Sequence, residues 1–199
     1  MQKTKIALFP LQLFLLPGEK TKLHIFEIRY KQLLVDCSEE FATFGIPFVK
    51  NGALTGYGSL VKVIKEIGVH ADGASDIEVI CEELFKIEKY HERLGDKLYP
   101  GGDVRVIENS ELPPMSETFM NELGDYLQKT EHQLIPELLS ANLTAFQAGI
   151  LVGLNDEEKN KLVRAKNQTS RERLLMNKLR MLNKIQDQLN SIKGDIFLN

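Results

Sequence analysis

The stretch LFPLQLFLLPGEKTKLHIFEIRY, residues 8–30, decides how the rest of the chain is read. Phe and Leu crowd it as far as Pro17, where Gly18, Glu19 and Lys20 break the run. An export signal has this outline, because Lys3 and Lys5 precede the apolar residues. Pro10 and Gln12 interrupt the run, however, and no small-x-small cleavage site follows. A membrane span needs about 20 mostly apolar residues, and the charges at Glu19 and Lys20 come too early for one. The remaining reading is a strand, a Pro17-Gly18 turn, and a second strand over residues 21–26.

Working outward, the pattern stays mostly that of strands as far as residue 110. Residues 43–50 form a β-type run ending at Asn51-Gly52, the strongest short hairpin signal in the chain. GSLVKVIKEI, residues 58–67, alternates as a strand with one buried face. SDIEVICEELFKIEKY, residues 75–90, places Ile77, Val79 and Cys81 on one face, and Phe85 and Ile87 resume the alternation after Glu82-Glu83, where a bulge is expected. DVRVIE supplies a further strand after a turn at Tyr99-Pro100-Gly101-Gly102. One helix interrupts the strands, since Tyr30, Leu33, Leu34 and Cys37 recur at helical spacing.

The chain changes character in NSELPPMSE, residues 109–117. Phe119, Leu123, Tyr126, Leu127 and Leu134 form a helical stripe, ended or restarted at Pro136. Capping boxes are expected at Thr144 with Gln147, Asn155 with Glu158, and Thr169 with Glu172, and C-terminal caps at Gly153 and Gly194. Leu175, Leu179, Leu182, Ile185, Leu189 and Ile192 draw one narrow seam down a long last helix, expected to be buried in its own bundle. The fold class is therefore α+β, with a β-rich subdomain over 1–110 carrying one early helix and a helical bundle over 111–199 ending in a long helix.

Composition suits a cytoplasmic globular protein. The chain has 199 residues, 43% hydrophobic and 27% charged, enough to bury one good core or two modest ones. A net charge of −3 supplies no general basic field, which disfavours nucleic acid as a partner. Two cysteines, Cys37 and Cys81, are too few for a disulfide framework and are expected to be reduced. No membrane association is expected.

The opening stretch resembles the Lon protease substrate-binding domain, the N-terminal domain of that ATP-dependent protease, which also occurs in free-standing bacterial proteins and in cereblon. That family opens with an F-P-L strand, a P-G turn, and an H-I-F-E-P-R-Y element leading into a helix that ends near a D-C pair. The matching positions are Phe9, Pro10 and Leu11; Pro17 and Gly18; His24, Ile25, Phe26, Glu27, Arg29 and Tyr30; and Asp36 with Cys37. Ile28 stands where the family has proline. Phe44-Gly45 is similar to the family's F-G strand and Asp72-Gly73 to its D-G turn. Its G-x-x-R-F element reads CEELF here, so any role of that arginine does not carry over. The resemblance implies a PUA-like pseudo-barrel followed by a helical bundle. It also implies a non-catalytic module that binds unfolded or short-lived polypeptides, in company with a protease or chaperone and without a cofactor. No G-x-x-x-x-G-K-[ST] phosphate loop occurs in these residues.

Candidate peptide anchors are Phe44, Phe48, Tyr57, Phe85 and Tyr99, because aromatic anchors dominate many interfaces, although a small β domain also spends its aromatics on packing. The signature residues Pro10, Pro17, Gly18, His24, Ile25, Phe26, Glu27, Arg29 and Tyr30 are read as structural. Glu27 and Arg29 are expected to anchor neighbouring loops or backbone. His24, His70, His91 and His132 are scattered without an H-x-x-x-H or C-x-x-C pair, so no metal site is expected. Cys81, in an alternating apolar strand, reads as an inert thiol. The alternative function is binding of RNA or another polyanion by Lys166, Arg171, Arg173 and Lys178, against which stands a solvated helix face. A monomer is favoured over a dimer.

Overall fold

The computed structural model describes residues 4–39, 42–107, 113–130 and 143–197. They fall into two compact units, Met1–Ser110 and Glu111–Asn199. Residues 108–112, Leu134, Pro136 and His132 lie outside the described residues.

The first unit is built on one antiparallel sheet of six strands. In chain order these are β1 (Thr4–Ala7), β2 (Lys20–Ile25), then helix α1 (Ile28–Glu39), β3 (Thr43–Lys50), β4 (Ala53–Val69), β5 (Ser75–His91) and β6 (Gly101–Ile107). The main path runs β1-β6-β5-β4-β3, and β2 pairs with the first part of β5. β5 is long enough to carry β2 and then β6 along one edge, while β4 follows it along the other.

The regular first strand is shorter and earlier than the sequence suggests. Pairing with β6 ends at Ala7, and residues 9–16 carry only an isolated bridge at Leu11. Phe14, Leu15 and Leu16 are all buried, a consecutive burial that a strand's alternating faces cannot give inside a one-layered sheet. Backbone partners come from elsewhere. Leu8 and Leu11 bridge in parallel to Gly45 and Phe48 of β3, with Phe9 N donating to Gly45 O at 2.8 Å and Val49 N to Leu11 O at 2.8 Å. The chain thus leaves β6 at one sheet end and joins β3 at the other, closing the sheet into a pseudo-barrel. At Leu15 the Ser59 hydroxyl donates to the carbonyl at 2.7 Å and accepts from the N–H at 2.9 Å, so one buried side chain replaces a missing ladder rung. Gly45 belongs here because a Cβ would lie 2.7 Å from Leu8 and 2.8 Å from Phe85.

The turns follow their residues. Gly18 has φ 93° after Pro17, the type II arrangement, and Glu19 N donates back to Leu16 O at 3.0 Å. Asn51 and Gly52 have φ 50° and 77°, which is the type I′ hairpin that joins β3 to β4 with no further residue. Glu82 is the expected bulge, since Leu60 pairs with Glu83 and Val61 with Cys81. Gly101 and Gly102 are not a turn. They are paired strand residues whose missing side chains admit Leu94 and Leu8, and the connection is made earlier, where Leu94 N donates to Tyr99 O at 3.0 Å.

The second unit contains α2 (Glu117–Lys129), α3 (Ala145–Leu151), α4 (Asp156–Arg164) and α5 (Gln168–Phe197). Ser116 caps α2 by accepting from Phe119 N and also donates to Glu172. The capping boxes at Thr144 and Asn155 are formed. The third is displaced: Asn167, not Thr169, receives the N–H of Ser170 at 2.9 Å, and α5 therefore starts two residues earlier. It also runs past Gly194 to Phe197. Phe119, Leu123, Leu127, Phe146, Leu162, Leu175 and Leu179 form the core.

The seam of α5 is buried only in its first half, contrary to the sequence expectation. Ile185, Leu189 and Ile192 are exposed. α5 has 30 residues and α2 only 13, or about 45 and 20 Å at the helical rise. The end of α2 meets α5 at residues 186–187, where Lys129 Nζ lies 2.9 Å from Asp187 and Gln186 Nε2 donates to Lys129 O.

Candidate functional site

Helix α1 follows β2 after a short bend whose residues are mostly local fasteners. The Glu27 carbonyl accepts from the N–H groups of Tyr30 and Lys31, opening the helix. Its carboxylate meets Arg29 at 2.7 Å, so these two charges hold each other instead of neighbouring loops. Arg29 also lies over the Tyr30 ring, 4.6 Å from its centroid. Tyr30 is buried against Phe9, with ring centroids 4.0 Å apart, and burial raises its pKa. Ile25 is buried beneath, while Phe26 is exposed.

The other end of α1 is anchored by charge. Asp36 is buried and accepts the Tyr99 hydroxyl at 2.6 Å, with Lys97 Nζ at 3.1 Å. Burial alone would raise the carboxyl, but Tyr99 and Lys97 outweigh it and hold the group below its ordinary value. Leu98 N donates to Gln32 Oε1 at 2.8 Å. Sequence reading placed Asp36 in a family pair and Tyr99 among binding aromatics, and the fold makes them one structural contact.

Between α1 and the β4–β5 hairpin lies a groove of about 540 Å3. Leu34 and Val35 of α1 face Val63 of β4 and Ile77 of β5, with Lys31, Lys62 and Glu66 among its lining. Val35 is 54% exposed, an apolar side chain that the unit's own core leaves uncovered. The groove runs along β4 beyond Lys62, where pairing with β3 stops at Thr43, so among the described residues the outer edge of 63–69 has no strand beside it. That edge is not a plain template. Register shifts place Ile64 and Ile67 as bulged residues, which twist and interrupt a ladder edge. Inside the groove, burial pushes the Cys37 thiol up to about 12, and the Ser38 hydroxyl donates to Val35 O.

The aromatic candidates are elsewhere. Phe44, Phe48, Phe85 and Tyr99 are buried, Phe48 packing edge-on against Phe14 at 5.7 Å. The strands of the closed barrel carry Phe44, Phe48 and Phe85 into its core, and Tyr99 is held on the loop before β6 by Asp36. Tyr57 alone is partly accessible, on β4 opposite Lys86. Of the cationic candidates, Arg171 lies 5.6 Å from the Phe146 ring centroid and Lys178 pairs with Glu158 at 2.9 Å. Lys166 and Arg173 remain exposed. Cys81 is buried and its thiol is raised to about 12 by burial.

Two histidines separated in sequence meet. His24 Nδ1 lies 2.7 Å from Asp76 Oδ1, and His70 Nε2 lies 2.7 Å from Asp76 Oδ2. Strand register does this, because His24 pairs directly with Asp76 across β2 and β5. His91 forms a separate pair with Asp103 at 3.1 Å.

A six-stranded pseudo-barrel with one early helix, and a helical unit ending in a long helix, is the fold of the Lon protease N-terminal domain. The crystal structure of a Lon N-terminal domain protein from Xanthomonas campestris superimposes with a TM-score of 0.65 at 23% identity, covering 89% of this chain and 98% of that one. The N-terminal domain of the Mycobacterium avium complex Lon protease does so with a TM-score of 0.65 at 16% identity and the same coverages. No family model matches the sequence, and no curated protein matches it. Among the described residues no helix is long and apolar enough to cross a membrane.

Proposed function

We propose that the protein is a non-catalytic polypeptide-binding module of the Lon N-terminal type, holding exposed apolar side chains of unfolded or short-lived cytoplasmic proteins in the groove between α1 and the β4–β5 hairpin. The observation that carries this reading is the groove itself, where among the described residues Val35 is exposed and Leu34 and Val63 are only partly buried. Bulges at Ile64 and Ile67 favour capture of side chains over addition of a long regular strand. One chain suffices, because all lining residues come from 31–77. Bound clients would pass to a protease or chaperone.

The test is binding of a fluorescently labelled, permanently unfolded polypeptide to the wild type and to Val35→Asp and Val63→Asp variants. A charge in the groove is expected to weaken binding about tenfold or more, equivalent to about 1.4 kcal/mol, with little dependence on salt. Unchanged affinity in both variants overturns the groove. Steep weakening with salt, together with loss on Lys166→Glu and Arg173→Glu, would replace it with polyanion binding.

A further inference from the structure

We propose that His24, His70 and Asp76 form a surface site for one divalent first-row transition ion, with Zn2+ the preferred occupant. The donor atoms His24 Nδ1, His70 Nε2 and an Asp76 carboxylate oxygen all lie within 4.8 Å of one another. A zinc ion holds nitrogen and oxygen ligands at about 2.0–2.2 Å, so three donors on such an ion are about 3.3 Å apart in tetrahedral geometry. The two imidazoles already converge on one carboxylate at 2.7 Å each. Two histidines and a carboxylate with positions left for water suit Zn2+ and its neighbours in the series better than Mg2+ or Ca2+, which take mainly oxygen.

The scaffold is prepared on both sides. His24 and Asp76 are register partners on β2 and β5, which fixes their separation through the backbone. His70 sits at the head of the turn that joins β4 to β5, its N–H donating to Ala74 O at 2.7 Å and its carbonyl accepting from Gly73 N at 2.9 Å. Lys31 Nζ donates to the Asp72 carbonyl at 2.9 Å, tying the same turn to α1. The imidazoles lie edge to face with centroids 5.5 Å apart, and the Phe26 ring stacks on His24 at 5.8 Å. The side chains are 55%, 50% and 36% exposed for His24, His70 and Asp76, so an ion enters from solvent and keeps its remaining waters. Each imidazole can carry its proton on the opposite, outward nitrogen while the inward lone pair binds the ion.

A bound ion would join β2 to the β4–β5 turn. That turn and the start of β5 supply Gly73 and Ser75 to the groove wall, so occupancy would stiffen one side of the groove. The site itself stands independently of polypeptide binding.

Calorimetric titration of the intact protein with Zn2+ tests the assignment, beside His24→Ala, His70→Ala and His91→Ala variants checked for fold by circular dichroism. The expected result is one ion per chain, a rise in Tm with Zn2+, roughly tenfold or greater weakening in each of the first two variants, and no change in His91→Ala, whose pair with Asp103 offers only two donors. Substituted Co2+ should give visible d–d absorption that both His24→Ala and His70→Ala abolish. Absence of Zn2+ binding by the wild type, or binding that survives loss of His24 and of His70, overturns the site.

Discussion

Asp36 shows how a single buried charge can hold an element in place. Its carboxylate takes the Tyr99 hydroxyl and the Lys97 ammonium, so removing one donor leaves a largely buried ion short of a partner. Tyr99→Phe is expected to cost about 1.5–3 kcal/mol in urea unfolding, within the range for hydrogen bonds to charged groups. The sign of the pH effect follows from the carboxyl lying below its ordinary value of 3.8 in the folded protein. Such a group adds stability that is present above 3.8 and is lost as pH falls through the lower folded value. The gap between wild type and Tyr99→Phe should therefore narrow below about pH 4, which unfolding curves at stepped pH will reveal. The thiols give a second residue-scale expectation. With Cys37 and Cys81 buried and raised to about 12, a thiol reagent at neutral pH should label neither in the native protein and both in urea.

At the scale of elements, backbone conformation and overhang make the difference. Gly52 at φ 77° occupies a region that costs an L side chain about 1–2 kcal/mol. Gly52→Ala should lose about that much stability without changing the fold, as read from the urea midpoint. Helix α5 separates two kinds of leucine along one seam. Leu179 is buried, whereas Leu189 lies past the end of α2 and is exposed. Leu179→Ala should cost about 2–5 kcal/mol, and Leu189→Ala less than about 0.5 kcal/mol, both measured on the full chain. Equal costs would mean that the outer seam is covered in solution.

At the scale of the molecule, two compact units each hold their own buried cluster, with Phe44, Val61 and Phe85 in the first and Phe119, Leu162 and Leu175 in the second. A unit with its own core can unfold by itself. Residues 1–110 expressed alone should give cooperative thermal unfolding and slow amide exchange in β4 and β5, while an unprotected fragment would show that the barrel needs the helical part. Much of this architecture was legible in the chain because its signals are local. Alternation along 75–81, the Asn51-Gly52 turn, the interruption at Glu82, and the boxes at Thr144 and Asn155 all depend on residues within a few positions of one another. Tertiary structure alone decided what lies between distant segments. Residues 8–11 close the sheet through bridges to β3, which turns Phe44, Phe48 and Phe85 from expected anchors into core. His24 and Asp76, 52 residues apart, meet through the pairing of β2 with β5, and His70 joins them from a turn. Alternation tells each strand which face is apolar, but it carries no information on which strand lies beside which. That choice is made by the total burial of the closed barrel, and the groove and the histidine cluster are both consequences of it.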